Sequence, residues 1–134
     1  MRVPRVLLAA VVGLVLGGCS SSDVTLESRP TDADSARDIA ELVARTADCG
    51  SVEYYDDTTD HWTFTCQSGR SGEHSYQIAV VRDDGAKLTV LDEWGGTPPV
   101  KVGAHFLVQA ARNLDGSASG DVDRFPGEVP RGAG

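Results

Sequence analysis

The sequence predicts an α+β domain: a helix, a four-stranded antiparallel meander and a second helix, stapled by one helix-to-sheet disulfide. Three observations lead there. Apolar residues recur at helical spacing just before Cys49. Between Val52 and Trp94 apolar and polar residues alternate, the period of half-buried strands. Cys49 and Cys66 both fall at inward-facing positions of those elements. Such an order places the helices on one face or at one end of an antiparallel sheet.

The first helix starts at Ser35-Ala36-Arg37-Asp38, a capping-box form with Asp in place of Glu or Gln. Ile39, Leu42, Val43 and Thr46 make its stripe, and Gly50 is positioned to stop it. Val52 and Tyr54 then alternate with Glu53 and Tyr55. Trp62, Phe64 and Cys66 alternate with His61, Thr63 and Thr65. His74 to Arg82 is the third strand, with Tyr76, Ile78 and Val80 on one face. Leu88, Val90 and Trp94 mark the fourth. A three-residue loop, Asp83-Asp84-Gly85, pairs Val80 with Leu88 and keeps one apolar face together. The last helix takes Thr97 as N-cap and Pro98 at N1, with Val100, Ala104, Leu107, Ala111 and Leu114 at its spacing. Gly103 weakens that helix, and Val100–Val102 reads alternatively as a short strand. Residues 115–134 are rich in Gly, Ser, Asp and Pro and read as a disordered tail.

The chain has 134 residues, room for one domain. Lys and Arg number 12 against 20 Asp and Glu, for a net charge of −8. That balance excludes nucleic-acid binding by phosphate neutralisation. It equally excludes a polybasic membrane-surface protein.

Residues 1–18 carry Arg2 and Arg5, then an uncharged apolar stretch from Val6 to Leu16, too short to span a bilayer. Leu16-Gly17-Gly18-Cys19 follows, then Ser20-Ser21-Ser22-Asp23. This segment resembles the lipobox signal peptide of bacterial lipoproteins. The resemblance covers residues 1–19 and implies cleavage before Cys19 and a diacylglycerol on its thiol. Arg far outnumbers Lys, as in GC-rich genomes, so an actinobacterial lipoprotein suits the composition. Two or more acyl chains attach a protein stably to a membrane. The expected location is the extracytoplasmic face of the cell membrane. Cleavage leaves 10 basic and 20 acidic residues, a body repelled by anionic headgroups. Residues 19–34 then form the lipidated end and a flexible tether with a reach of roughly 20 Å, and residues 35–114 the folded domain.

Three cysteines are an odd number for an exported chain. Lipidation of Cys19 leaves Cys49 and Cys66 for one disulfide, and the absence of a Cys-x-x-Cys pair weighs against redox or metal use.

Chemistry-bearing motifs are few. His61, His74 and His105 are the histidines, and strand parity sets His61 and His74 on opposite faces. Asp56, Asp57 and Asp60 crowd one turn with Thr58 and Thr59. They are the candidate binding residues, although such residues also make turns by bonding their own backbone. Asp115, Ser117, Ser119, Gly120 and Asp123 match an EF-hand-like loop, but Pro126 stands where the bidentate Glu belongs. No Gly-x-Ser-x-Gly elbow, Ser-x-x-Lys pair or P-loop is present. No catalytic residue, metal or cofactor is therefore expected. The expected role is a membrane-anchored, non-enzymatic binding or accessory module whose partner is a protein or envelope component, with no nucleic acid. An inhibitor or immunity protein acting on an envelope enzyme through the Asp56–Asp60 and Gly95–Pro99 loops is the alternative.

Overall fold

The computed structural model describes residues 24–69, 73–94, 100–113, 115, 118 and 120–130. The lipobox with Cys19, the Gly95–Pro99 loop, Leu114, Ser117 and Ser119 lie outside the described residues. The fold is α+β with an antiparallel sheet, in the order α1 (Ala33–Thr46), β1 (Glu53–Asp57), β2 (His61–Ser68), β3 (His74–Val81), α2 (Asp84–Trp94), β4 (Val100–Val102) and β5 (Phe106–Ala110). The five strands lie in the spatial order β1-β2-β3-β5-β4.

Helix α1 begins before the expected start. Asp32 is the N-cap: its side chain accepts the Ser35 N–H at 2.8 Å, while the Ser35 hydroxyl oxygen accepts the Asp32 N–H at 3.0 Å. At the other end Asp48, not Gly50, takes the left-handed conformation, with φ 58°. The Asp48 N–H donates to Arg45 O and the Cys49 N–H to Ala44 O, a Schellman closure. Gly50 lies one step on and donates its N–H to Gln67 O at 2.9 Å, which sets the end of the helix against β2. Cys49 and Cys66 are thereby brought together, and the disulfide is formed across a Cα–Cα distance of 6.0 Å.

β2 and β3 pair as the alternation requires, Trp62 with Val80, Phe64 with Ile78 and Cys66 with Tyr76. These side chains and Phe106, Val108 and Ala110 of β5 form one core with Ala36, Ile39, Ala40, Val43 and Ala44 of α1. The buried stripe of α1 is thus shifted towards its alanines, and Thr46 is exposed.

The chain departs from the expected order after β3. Leu88, Val90 and Trp94 are not a strand but lie on α2. Asp83 caps that helix, accepting the Ala86 N–H at 2.8 Å, so Asp83-Asp84-Gly85 is a helix start rather than a hairpin loop. Residues 100–110 are not a helix but the β4–β5 hairpin, closed by the Gly103 N–H donating to Phe106 O at 2.8 Å. A Cβ at Gly103 would run into the Phe106 ring. The sheet therefore has five strands instead of four. It is also covered on both faces: Ala79, Val81 and Leu107 point away from α1 and are buried against Ala86 and Val90 of α2.

Both ends assigned to flexible chain carry ordered packing. Val24 and Leu26 pack against the α1-side core and Pro30 is buried, so the tether is body from Val24 onward. Val122 and Phe125 lie in the same core, with the Phe125 ring 4.8 Å from that of Tyr76. Glu128 pairs with Val102 through two backbone hydrogen bonds, of 2.8 and 2.9 Å. Gly127 turns the chain into that pairing with φ 111°, where a Cβ would come within 2.9 Å of Val102 O. Residues 120–130 are thus a strap across the sheet rather than a free tail.

Candidate functional site

β1 is a border strand of the sheet, and all five of its residues are exposed. Its pairing with β2 slips between Tyr54 and Asp56, which leaves Tyr55 as the bulged residue. The turn that follows is held from inside. The Thr58 N–H donates to His61 O at 2.9 Å, and the Thr58 hydroxyl oxygen accepts the Asp60 N–H at 3.1 Å and the His61 N–H at 3.3 Å. His61 is 9 % exposed, with Nδ1 at 3.1 Å from the same hydroxyl.

Arg82, at the end of β3, braces this turn from behind. Its Nε donates to Thr59 O at 2.7 Å, its backbone N–H donates to Asp60 O, and its guanidinium lies 4.2 Å from the Trp62 ring centroid. Sequence reasoning gave Arg82 no role beyond ending a strand. A Trp two residues after an Asp-rich turn was the one available signal, because a guanidinium stacks well on indole.

Asp56, Asp57 and Asp60 are all exposed at this corner. The Asp56 carboxylate accepts the Asp57 N–H at 2.8 Å. Asp57 is hydrogen-bonded to the Tyr54 hydroxyl. That bond, with burial and the charges of Asp57 and Asp56, pushes the Tyr54 pKa up to about 12. The Tyr54 ring stands edge-on to Phe64 at 5.9 Å, while Tyr54 and Tyr55 remain 49 % and 62 % exposed. The corner therefore offers a strand edge, two aromatic rings and the carboxylates of Glu53, Asp56, Asp57 and Asp60. Among the described residues no group of three His, Cys, Asp or Glu side chains is placed to hold a metal ion.

Cavities also lie elsewhere among the described residues. An open groove of about 830 Å³ runs between α2, the β4–β5 turn and residues 127–130, lined by Leu88, Leu91, Val102 and Val129. Lys87 closes one side by donating to Gly103 O and Ala104 O, both at 2.9 Å. A smaller cavity of about 190 Å³ borders Cys49 and collects Ser68, His74, Tyr76, Asp121 and Arg124. Burial, then the charge of Asp121, raises the Tyr76 pKa there. Cys49 is spent in the disulfide and supplies no nucleophile. His61 and His74 point to opposite faces of the sheet, and His105 sits in the β4–β5 turn with Nδ1 buried and unpartnered. In the EF-hand-like stretch, Asp123 donates its N–H to the Asp121 carboxylate and Gly120 packs beside Tyr76. No family model matches the chain, and neither the curated proteins nor the solved structures contain a match, so its functional reading rests on this geometry.

Proposed function

We propose that the chain is a lipid-anchored module on the extracytoplasmic face of a bacterial cell membrane, and that it works by binding rather than by catalysis. The observation that carries this reading is the Cys49–Cys66 disulfide. It consumes two of three cysteines and leaves Cys19, placed directly after Leu16-Gly17-Gly18, as the remaining thiol. A structural disulfide belongs to an oxidising compartment, which the lipobox resemblance also implies. The binding surface is the corner built from β1 and the Asp56–Asp60 turn, and the partner is a protein or envelope component carrying positive charge.

Intact mass measurement on protein extracted from membranes tests the anchor. The expected mass lacks residues 1–18 and carries at least two acyl chains on Cys19. Recovery of the protein from culture fluid with a bare Cys19 would overturn the anchor. Crosslinking in cells tests the binding role, with the expected adducts formed through β1 and the turn. Purified protein that turns over a substrate, together with crosslinks that return no partner, would overturn it.

The exposed acidic corner also favours a narrower version, an inhibitor of one envelope enzyme. That version requires tight binding with an on-rate that falls steeply as salt is added. Weak affinity insensitive to salt would exclude it.

A further inference from the structure

The two borders of the sheet are treated differently. At the β4 border, Val102 exchanges both its backbone hydrogen bonds with Glu128, so a bridge from the chain itself blocks the end of that edge. At the β1 border, among the described residues, the Asp57 N–H is taken by the Asp56 side chain and no other chain segment bonds the outer backbone. Unpaired strand backbone is a template for another strand. Exposed Tyr54 and Tyr55 are side chains enriched in protein interfaces, and here they flank that template.

Charge decides what can occupy it. Glu53 on one side and Asp56 and Asp57 on the other flank the two adjacent tyrosines along the edge, with Asp60 beyond, and β1 itself carries no cationic residue. A second copy of the chain pairing edge to edge would set carboxylates against carboxylates, an arrangement that destabilises a strand pair. An extended segment with Lys or Arg would set cations against them.

We propose that the outer edge of β1 is a docking strand that takes up an extended, basic segment of a partner protein by β-strand addition. This rests on the binding half of the function proposed above and is independent of the lipid anchor. The Asp57 amide held by Asp56 limits the ladder to the Glu53–Tyr55 half of the strand. The Asp56–Asp60 carboxylates lie beyond it and receive the segment's basic side chains. The bulge at Tyr55 sets the local twist of the edge, which discourages long, indiscriminate pairing and leaves room for a short partner segment.

The test uses the full-length protein in neutral detergent and three capped synthetic peptides. One alternates Lys and Val, one has Pro in place of each Val, and one has Glu in place of each Lys. The Lys–Val peptide is expected to slow backbone amide exchange in β1 by about tenfold or more, with little change in α2 or the strap. The Pro peptide keeps the charge, but proline's fixed φ near −65° holds it away from the extended conformation that a ladder needs, and it is expected to bind at least about tenfold more weakly. The Glu peptide is expected not to bind.

Glu53→Lys and Asp57→Lys change exposed side chains. Each is expected to weaken the Lys–Val peptide several-fold while leaving the thermal unfolding midpoint within a few degrees. Equal binding of the Lys–Val and Pro peptides without protection of β1 would overturn strand addition while leaving a charged binding surface. Protection of β1 that rises with protein concentration alone would make a second copy the occupant and overturn the proposal. No binding of any peptide would overturn it too, and the function proposed above would then answer to its own mass and crosslinking results.

Discussion

Arg82 links three parts of the molecule through one side chain and one amide. It bonds Thr59 O, stacks on Trp62, and its carbonyl accepts from Arg29 ahead of α1. Arg82→Lys keeps the charge but loses the planar contact with indole. We expect a loss of about 1 kcal/mol in urea unfolding, with faster amide exchange confined to residues 58–61. Tyr54 and Asp57 give a second test. Because the folded state holds Tyr54 above its ordinary value of 10, its stabilisation is complete below pH 10 and is lost as the pH rises towards 12. In an ultraviolet titration, Asp57→Asn should move one of the three tyrosines down towards 10. Asp32 works in the opposite direction. Its pKa is lowered chiefly by the Ser35 backbone N–H, then by the Ser35 side chain. That contribution is present above pH 3.8 and disappears as the pH falls through the lower folded value. Asp32→Asn keeps the cap acceptor and should flatten this part of the acid limb.

Among the elements, the strap and the disulfide carry the clearest predictions. Phe125 is buried against Tyr76 although its neighbours in sequence are Gly, Asp, Arg and Pro. Phe125→Ala should cost about 3–5 kcal/mol by urea unfolding, the range for a buried ring, whereas a free tail would cost nothing. Lys101 Nζ donates to Phe125 O at 3.0 Å, so the same substitution should also loosen the β4 edge in amide exchange. Cys49 and Cys66 close a loop with a sequence separation of 17. Replacing both with Ser should cost about 3 kcal/mol on the chain-entropy account, measured as a drop in the urea midpoint. The strands β2 and β3 were legible because one face of each is apolar at every second residue. α2 was misread because Leu88 is apolar yet 67 % exposed, which gives residues 88–94 a false strand pattern. The alternative reading of Val100–Val102 as a short strand matches β4, whereas β5 was misread for the reverse reason. Val100, Ala104 and Leu107 stand at helical spacing by coincidence, and Phe106 and Val108, equally buried, do not fit that stripe. The useful signal was the unbroken run Ile78-Ala79-Val80-Val81, which marks a strand buried on both faces and so requires cover on the second.

For the whole molecule, the sheet joins two separate clusters: a larger one beneath α1, which includes the strap and the N-terminal approach, and a smaller one beneath α2. The stabilised centre leaves β1 as a border whose five residues are all exposed and which carries three carboxylates and two tyrosines. An isolated acidic turn, visible as Asp56, Asp57 and Asp60, thereby becomes one end of a larger surface with Tyr54, Tyr55 and Glu53. The turn was legible because Asp and Thr cluster locally. Its place at the border of the sheet was not, because strand order depends on which distant segments pair.

Local chemistry, read along the chain, was enough for the α+β class, the even-to-even register of β2 and β3, the Cys49–Cys66 pairing and the candidate acidic turn. Each of these follows from periodicity, cysteine parity or contacts close in sequence. The layering of the sheet between two helices, the exchange of helix and strands after Val81, and the seating of Phe125 came from folding in three dimensions. Apolar residues there are shared between two faces, and the winning arrangement is the one that buries Ala79, Val81 and Leu107 as well as Ile78 and Val80.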